Sequence, residues 1–138
     1  MSKSFQVFTD KRIEPEEFAE LMDSVGWGSI EEYDSHEIRD SIESYTFIAH
    51  IRDEMGLLVG YVSTFSDRAF STFIGELVVR PEFQGRGLGK ELLRAVESRF
   101  EGVPVYANPF ESAKDFFIRQ EYSEPKRPMV VVSKRNQT

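Results

Sequence analysis

The stretch "VVRPEFQGRGLGKELL", residues 78–93, decides the reading of this chain. An apolar run meets a proline, glycines stand at Gly85, Gly87 and Gly89, and Leu88, Leu92, Val96 and Phe100 then recur every fourth residue. The run before the turn suits a buried strand and the period after it an amphipathic helix. A strand that passes through a Gly-rich turn into a helix leaves several backbone N–H groups unused at the positive end of the helix dipole. Glycine lets an anion approach them without a Cβ in the way. Arg86 and Lys90 share the turn, with Arg80 and Arg94 close in sequence, which favours a diphosphate over a carboxylate. The same glycines also suit a tight strand-to-helix turn that holds no ligand, and the turn alone leaves both readings open.

Working outward from that stretch, "STFIGELVVR" (71–80) is apolar on both faces except at Glu76, so it is expected to be a central strand covered on both sides. "YTFIAHI" (45–51) and "LLVGYVSTF" (57–65), split by the turn "RDEMG", predict a hairpin beside it. "FQVFTD" (5–10) suits a first strand. "PEEFAELMDSV" (15–25) carries Phe18, Leu21, Met22 and Val25 at helical spacing behind Pro15, and a second helix is expected after Ser29. Beyond residue 100, "VPVYAN" (103–108), "ESAKDFFIRQEY" (111–122) and "MVVVSK" (129–134) predict a strand, a short helix and a last strand. The crossover helix between 76 and 107 requires a parallel pair. The expected fold class is therefore α/β (α+β): a central mixed, mostly antiparallel sheet of six to seven strands with helices on both faces, in one domain over 1–138.

Composition narrows the chemistry. At 138 residues the chain can bury roughly two thirds of its unfolded surface in one core. Without Cys there is no disulfide or thiolate nucleophile, and two His make a metal site improbable, so none is expected. A net charge of -7 disfavours nucleic acid. No apolar run of about 18 residues and no leader pattern is present, so the expectation is a cytoplasmic protein with no membrane contact. Residues 11–54 hold 13 acidic against 4 basic side chains, whereas 80–99 hold 3 against 5. The first region reads either as a solvated helical face or as a surface that draws a cation.

The longer stretch "ELVVRPEFQGRGLGKELL" (76–93) resembles the acetyl-CoA signature of the GCN5-related N-acetyltransferase (GNAT) family: an apolar strand, then Pro81, then Q/R-x-x-G-x-G/A, with Gln84, Gly87 and Gly89 at its fixed positions. The predicted order of elements resembles that family's over nearly the whole chain. The resemblance implies the acyl-CoA N-acyltransferase fold, acetyl-CoA as co-substrate and an amine as acceptor. It implies that the backbone of Gly85, Arg86, Gly87, Leu88, Gly89 and Lys90 holds the pyrophosphate, with Gln84, which opens the signature, among the cofactor-binding residues. It also implies that Leu77, Val78 and Val79 pair with the pantetheine arm and that Asn108 contacts it.

For direct attack on a thioester, something must take the amine's proton and something must donate to the carbonyl oxygen. Glu76, the one charge in its strand, is expected as base or amine-binding group, with a structural ion pair as the alternative. The resemblance implies the backbone N–H of Val79 as oxyanion donor. Where it places a tyrosine acid this chain has Phe117, so the acid stays unassigned. A thiol with a pKa near 8.5 can leave as the thiolate without one. Trp27 and Tyr33 are expected either to line the acceptor site or to pack in the core, and Asp34 and Glu37 to meet a cation. The expected function is acetylation of a small-molecule primary amine. The alternative is a non-catalytic CoA-binding sensor or assembly subunit, and the run 129–134 offers an edge through which a homodimer could form.

Overall fold

The computed structural model of the chain describes residues 4–135 and divides into two compact units, Met1–Ala107 and Asn108–Thr138. In the first, β1 (Phe5–Phe8) leads to α1 (Pro15–Ser24), which starts where Pro15 can sit without an N–H partner and where Glu17 accepts from the Glu14 amide at 2.9 Å. The helix expected after Ser29 is broken. Ser29 and Glu32 close one 3-10 turn, Tyr33 is extended, and α2 (Ser35–Ser44) begins only where Asp34 caps the Glu37 amide at 3.0 Å. Asp34 is thereby committed to the backbone, as Asp at an N-cap commonly is.

β2 (Phe47–Asp53), β3 (Leu58–Ser66) and β4 (Thr72–Val79) follow, then a 3-10 turn at Pro81–Phe83, α3 (Leu88–Arg99) and β5 (Val105–Tyr106). The strand order is β1-β2-β3-β4-β5, antiparallel until the last pair, which is parallel. Because side chains alternate across a strand, β2, β3 and β4 each feed two cores. Ile48, Tyr61 and Val78 pack under α1 and α2; Ala49, Ile51, Val59 and Val62 pack under α3 through Leu88, Leu92 and Val96. Each of these fully buried leucines and valines stabilises the fold by about 1.5–3 kcal/mol.

Two strand expectations are corrected. The sheet has five strands rather than six or seven: residues 129–134 have strand composition but no ladder partner among the described residues, and Val130 and Val132 stand 85% and 87% exposed. β4 is not central along its whole length either. β5 is cut to two residues, pairs only as Thr72↔Val105 and Phe73↔Tyr106, and follows a proline that cannot donate to the ladder. Among the described residues, one edge of β4 is therefore open from Ile74 onward.

The second unit holds a 3-10 turn at Glu111–Ala113 and α4 (Lys114–Arg119). Phe117 is buried there between Phe116 and Tyr122, both edge-on at 5.3 and 5.4 Å.

Candidate functional site

The turn after β4 is built as its glycines predict. Gly85 and Gly87 take φ +79° and +81°, which other residues adopt only with strain, and Gly87 is the N-cap of α3. The N–H groups of Leu88, Gly89 and Lys90 lie in the first turn and have no intrahelical partner, and no side chain among the described residues caps that helix. Arg86 and Lys90 are exposed on the same turn, with Arg86 over the Phe83 ring at 5.4 Å. Gln84, which the resemblance assigns to the ligand, also braces the turn, because its Nε2 donates to the Val79 carbonyl at 2.9 Å and ties the turn to the end of β4.

The open edge of β4 runs from this turn toward Glu76. The Arg80 amide donates to Val59 on β3 at 2.9 Å. Backbone groups alternate along a strand, so Val79 and Leu77 point theirs to the unpaired side, while Val78 points its own to β3 and buries its side chain. That edge is ready-made for an extended ligand to add as a strand.

At the other end, Glu76 stands on the α1/α2 face beside Ser63 of β3. Three hydroxyls converge on its Oε1: Tyr45 at 3.0 Å, Ser63 at 3.0 Å and Tyr61 at 3.4 Å. No lysine or arginine pairs with it among the described residues, so the structural ion pair does not form. Donors on one oxygen orient the carboxylate and leave Oε2 for a ligand. The tyrosines respond in turn: burial, then the Glu76 charge, raises the pKa of Tyr45 and Tyr61, which keeps both as donors across the physiological range.

Gly75 makes this convergence fit. A Cβ there would lie 3.0 Å from Ser63 Oγ and 3.0 Å from a ring carbon of Tyr45. The residue is also the extra one in a β-bulge, since the register passes from Ser63↔Glu76 to Thr64↔Ile74. Sequence reading missed Tyr45, Tyr61, Ser63 and Gly75. The available signal was a glycine inside an otherwise apolar strand, next to its only charge.

Trp27 and Tyr33 are brought together, the Tyr33 hydroxyl donating to the Trp27 carbonyl. Tyr33 also packs edge-on against Phe18 at 5.9 Å, and Phe18 against Tyr61 at 5.6 Å, which links the α1–α2 connection to the Glu76 cluster. The Glu76 charge adds to burial in raising the pKa of Tyr33. Trp27 is 39% exposed. The exposed carboxylates of Glu16, Glu20, Asp23, Glu31, Glu32 and Glu37 lie on these same elements. Asn108 belongs to the second unit and is exposed there.

A family model described as the Acetyltransferase (GNAT) family matches residues 11–119. The uncharacterized N-acetyltransferase ycf52 of Pyropia yezoensis is 26% identical over 115 residues, covering 78% of this chain and 64% of that protein. The same protein of Gracilaria tenuistipitata is 29% identical over 97 residues, covering 64% and 52%. The chain thus spans about half to two thirds of the length of these relatives. Its fold is shared with a GNAT family acetyltransferase of Streptococcus pneumoniae, at TM-score 0.74 and 17% identity over 96% of this chain and 100% of that one. It is also shared with glucosamine-6-phosphate N-acetyltransferase of Arabidopsis thaliana, at 0.67 and 20% over 96% and 100%. A third match is the Escherichia coli N-acetyltransferase YhbS in complex with CoA, at 0.63 and 16% over 85% and 69%.

Proposed function

The chain belongs to the acetyltransferase (GNAT) family, and from that premise we propose that it moves the acetyl group of acetyl-CoA to the primary amine of a small molecule by direct attack on the thioester. The observation that carries the reading is the open edge of β4, which joins an uncapped helix N-terminus at one end to an oriented carboxylate at the other. In this reading the N–H groups of residues 85–90, with Arg86 and Lys90, hold the pyrophosphate, and Leu77 and Val79 pair with the pantetheine. Val79 N–H receives the carbonyl oxygen as it gains charge.

An amine arrives as the ammonium, and Glu76 takes one proton directly or through a water. The nitrogen then bonds to the acetyl carbon as the carbon–sulfur bond breaks. The nitrogen loses its second proton to solvent, and the thiolate, whose pKa is near 8.5, takes one from solvent. The net products are the acetamide, CoA thiol and one proton. No acid is required at Phe117, whose phenyl ring offers none.

Calorimetric titration with acetyl-CoA and a thiol-release assay over a panel of amines test the proposal. The expected result is micromolar binding with amine-dependent release. No binding at millimolar acetyl-CoA refutes it, and tight binding without amine stimulation supports the sensor alternative. The proposal extends to a cytoplasmic location and to a homodimer in which the exposed run 129–134 gains a strand partner. Light scattering checks the dimer.

A further inference from the structure

Resting on the acetyl-transfer reading, we infer that the acceptor is an amine joined by a short linker to an aromatic or similarly flat apolar group, which lies on a row of rings beside Glu76. Phe65, Phe73 and Tyr106 are successive register partners across β3, β4 and β5, so their side chains share one face of the sheet. They stand 48%, 48% and 46% exposed. Phe73 and Tyr106 stack at 5.3 Å, and Tyr45 lies over Phe65 at 4.6 Å. Scattered apolar residues on a surface need no explanation, but four rings in a contiguous row on a sheet mark a binding surface.

What occupies the row follows from its neighbours. Tyr45 belongs to both groups, packing on Phe65 with its ring tilted by 40° and donating to Glu76 through its hydroxyl. The row is therefore continuous with the carboxylate that would hold the ammonium. Ser63 is level with Glu76 and Phe65 lies two residues further along β3, so the rings begin about 7 Å from the carboxylate along the strand. That spacing suits about two or three carbons between nitrogen and ring. The helices over this face carry the acidic excess, which favours a cationic ligand and opposes a phosphorylated or carboxylated one. A sugar amine would leave the rings wet, and a linear polyamine would use them only through cation–π contacts.

The test compares acetylation of 2-phenylethylamine, 4-phenylbutylamine, n-propylamine, spermidine and glucosamine. The expected kcat/KM for 2-phenylethylamine exceeds that for n-propylamine by about tenfold, as one stacked ring supplies. Phe65→Ala and Phe73→Ala each collapse that ratio, mainly through KM, and Phe73→Leu checks that volume alone does not restore it. Equal rates for the two amines overturn the inference. So does a preference for spermidine or glucosamine that neither alanine substitution alters. Should acetyl-CoA fail to bind, the acetyl-transfer reading falls and the row is judged separately by titrating 2-phenylethylamine into the protein. Binding that Phe73→Ala weakens upholds it, and absence of binding overturns it.

Discussion

Two regions of this molecule depend on glycine for opposite reasons. At Gly85 and Gly87 a Cβ would meet nothing within 4 Å, and only the left-handed backbone demands glycine. At Gly75 the backbone is not left-handed, but a Cβ would press on Ser63 and Tyr45 at 3.0 Å. The first region is a backbone device that aims N–H groups outward. The second is a packing device that lets hydroxyls reach a carboxylate. In the proposed reaction, anion binding and proton handling fall to independent parts of β4 and its turn, and substitutions should separate them.

The largest effect should come from Glu76→Gln, which keeps the shape and removes the proton acceptor. A drop in kcat/KM of about a hundredfold or more is expected, in the range of lost general base catalysis, with acetyl-CoA affinity unchanged by calorimetry. The residual rate should follow the fraction of amine that is already neutral, climbing about tenfold per pH unit well below the amine pKa. A loss in cofactor affinity of equal size would join the two regions that the geometry keeps apart.

Gly75→Ala should come next. Forcing a methyl group against Ser63 and Tyr45 costs about 1–3 kcal/mol of stability, read as a fall in Tm. It should also lower kcat/KM about tenfold by displacing donors from Glu76, about the value of a hydrogen bond to a charged group. Acetyl-CoA affinity should hold. Gly87→Ala should do the reverse. The strain of a left-handed alanine costs about 1–2 kcal/mol, acetyl-CoA affinity should weaken several-fold, and kcat at saturating cofactor should stay within about a factor of two. Gly87→Asn, which tolerates that backbone better, should recover most of the stability. Identical profiles for the two alanine variants would break the comparison.

The two regions also differed in what the sequence disclosed. Strand, turn and helix over 72–99 were legible because the turn's chemistry is local, with every residue of the signature within a few positions of the next. Glu76 stood out as the one charge in an apolar strand. Its donors did not, because Tyr45, Tyr61 and Ser63 lie 31, 15 and 13 residues away and meet it only through the β3–β4 register and the path of the chain from α2 into β2. The run 129–134 shows the converse. Its β-branched residues carry the propensity for a strand, but a strand also needs a neighbour, and propensity does not supply one.

The smallest effect concerns pH, and it decides how an acid loss of rate should be read. His50 is buried in β2, its Nε2 2.9 Å from Asp10 Oδ1, while Nδ1 has no partner among the described residues. Protonation would add a second N–H with nowhere to donate. Burial therefore lowers the pKa of His50 despite the Asp10 carboxylate. An unfolded chain takes up that proton near pH 6.5 and the folded chain only at lower pH, so below 6.5 the unfolded state binds more protons and stability falls as pH falls. Asp10, held low first by the Arg12 amide and then by His50, acts in the same direction but only below about pH 4. Tm should decline from pH 7 to 5.5 in the wild type, Glu76→Gln and Gly87→Ala alike, whereas His50→Gln, which keeps a donor for Asp10, should flatten that slope. A rate loss that persists in the His50→Gln background belongs to the site on β4; one that disappears with the slope belongs to the fold, and an unchanged slope in that variant would remove His50 as its source.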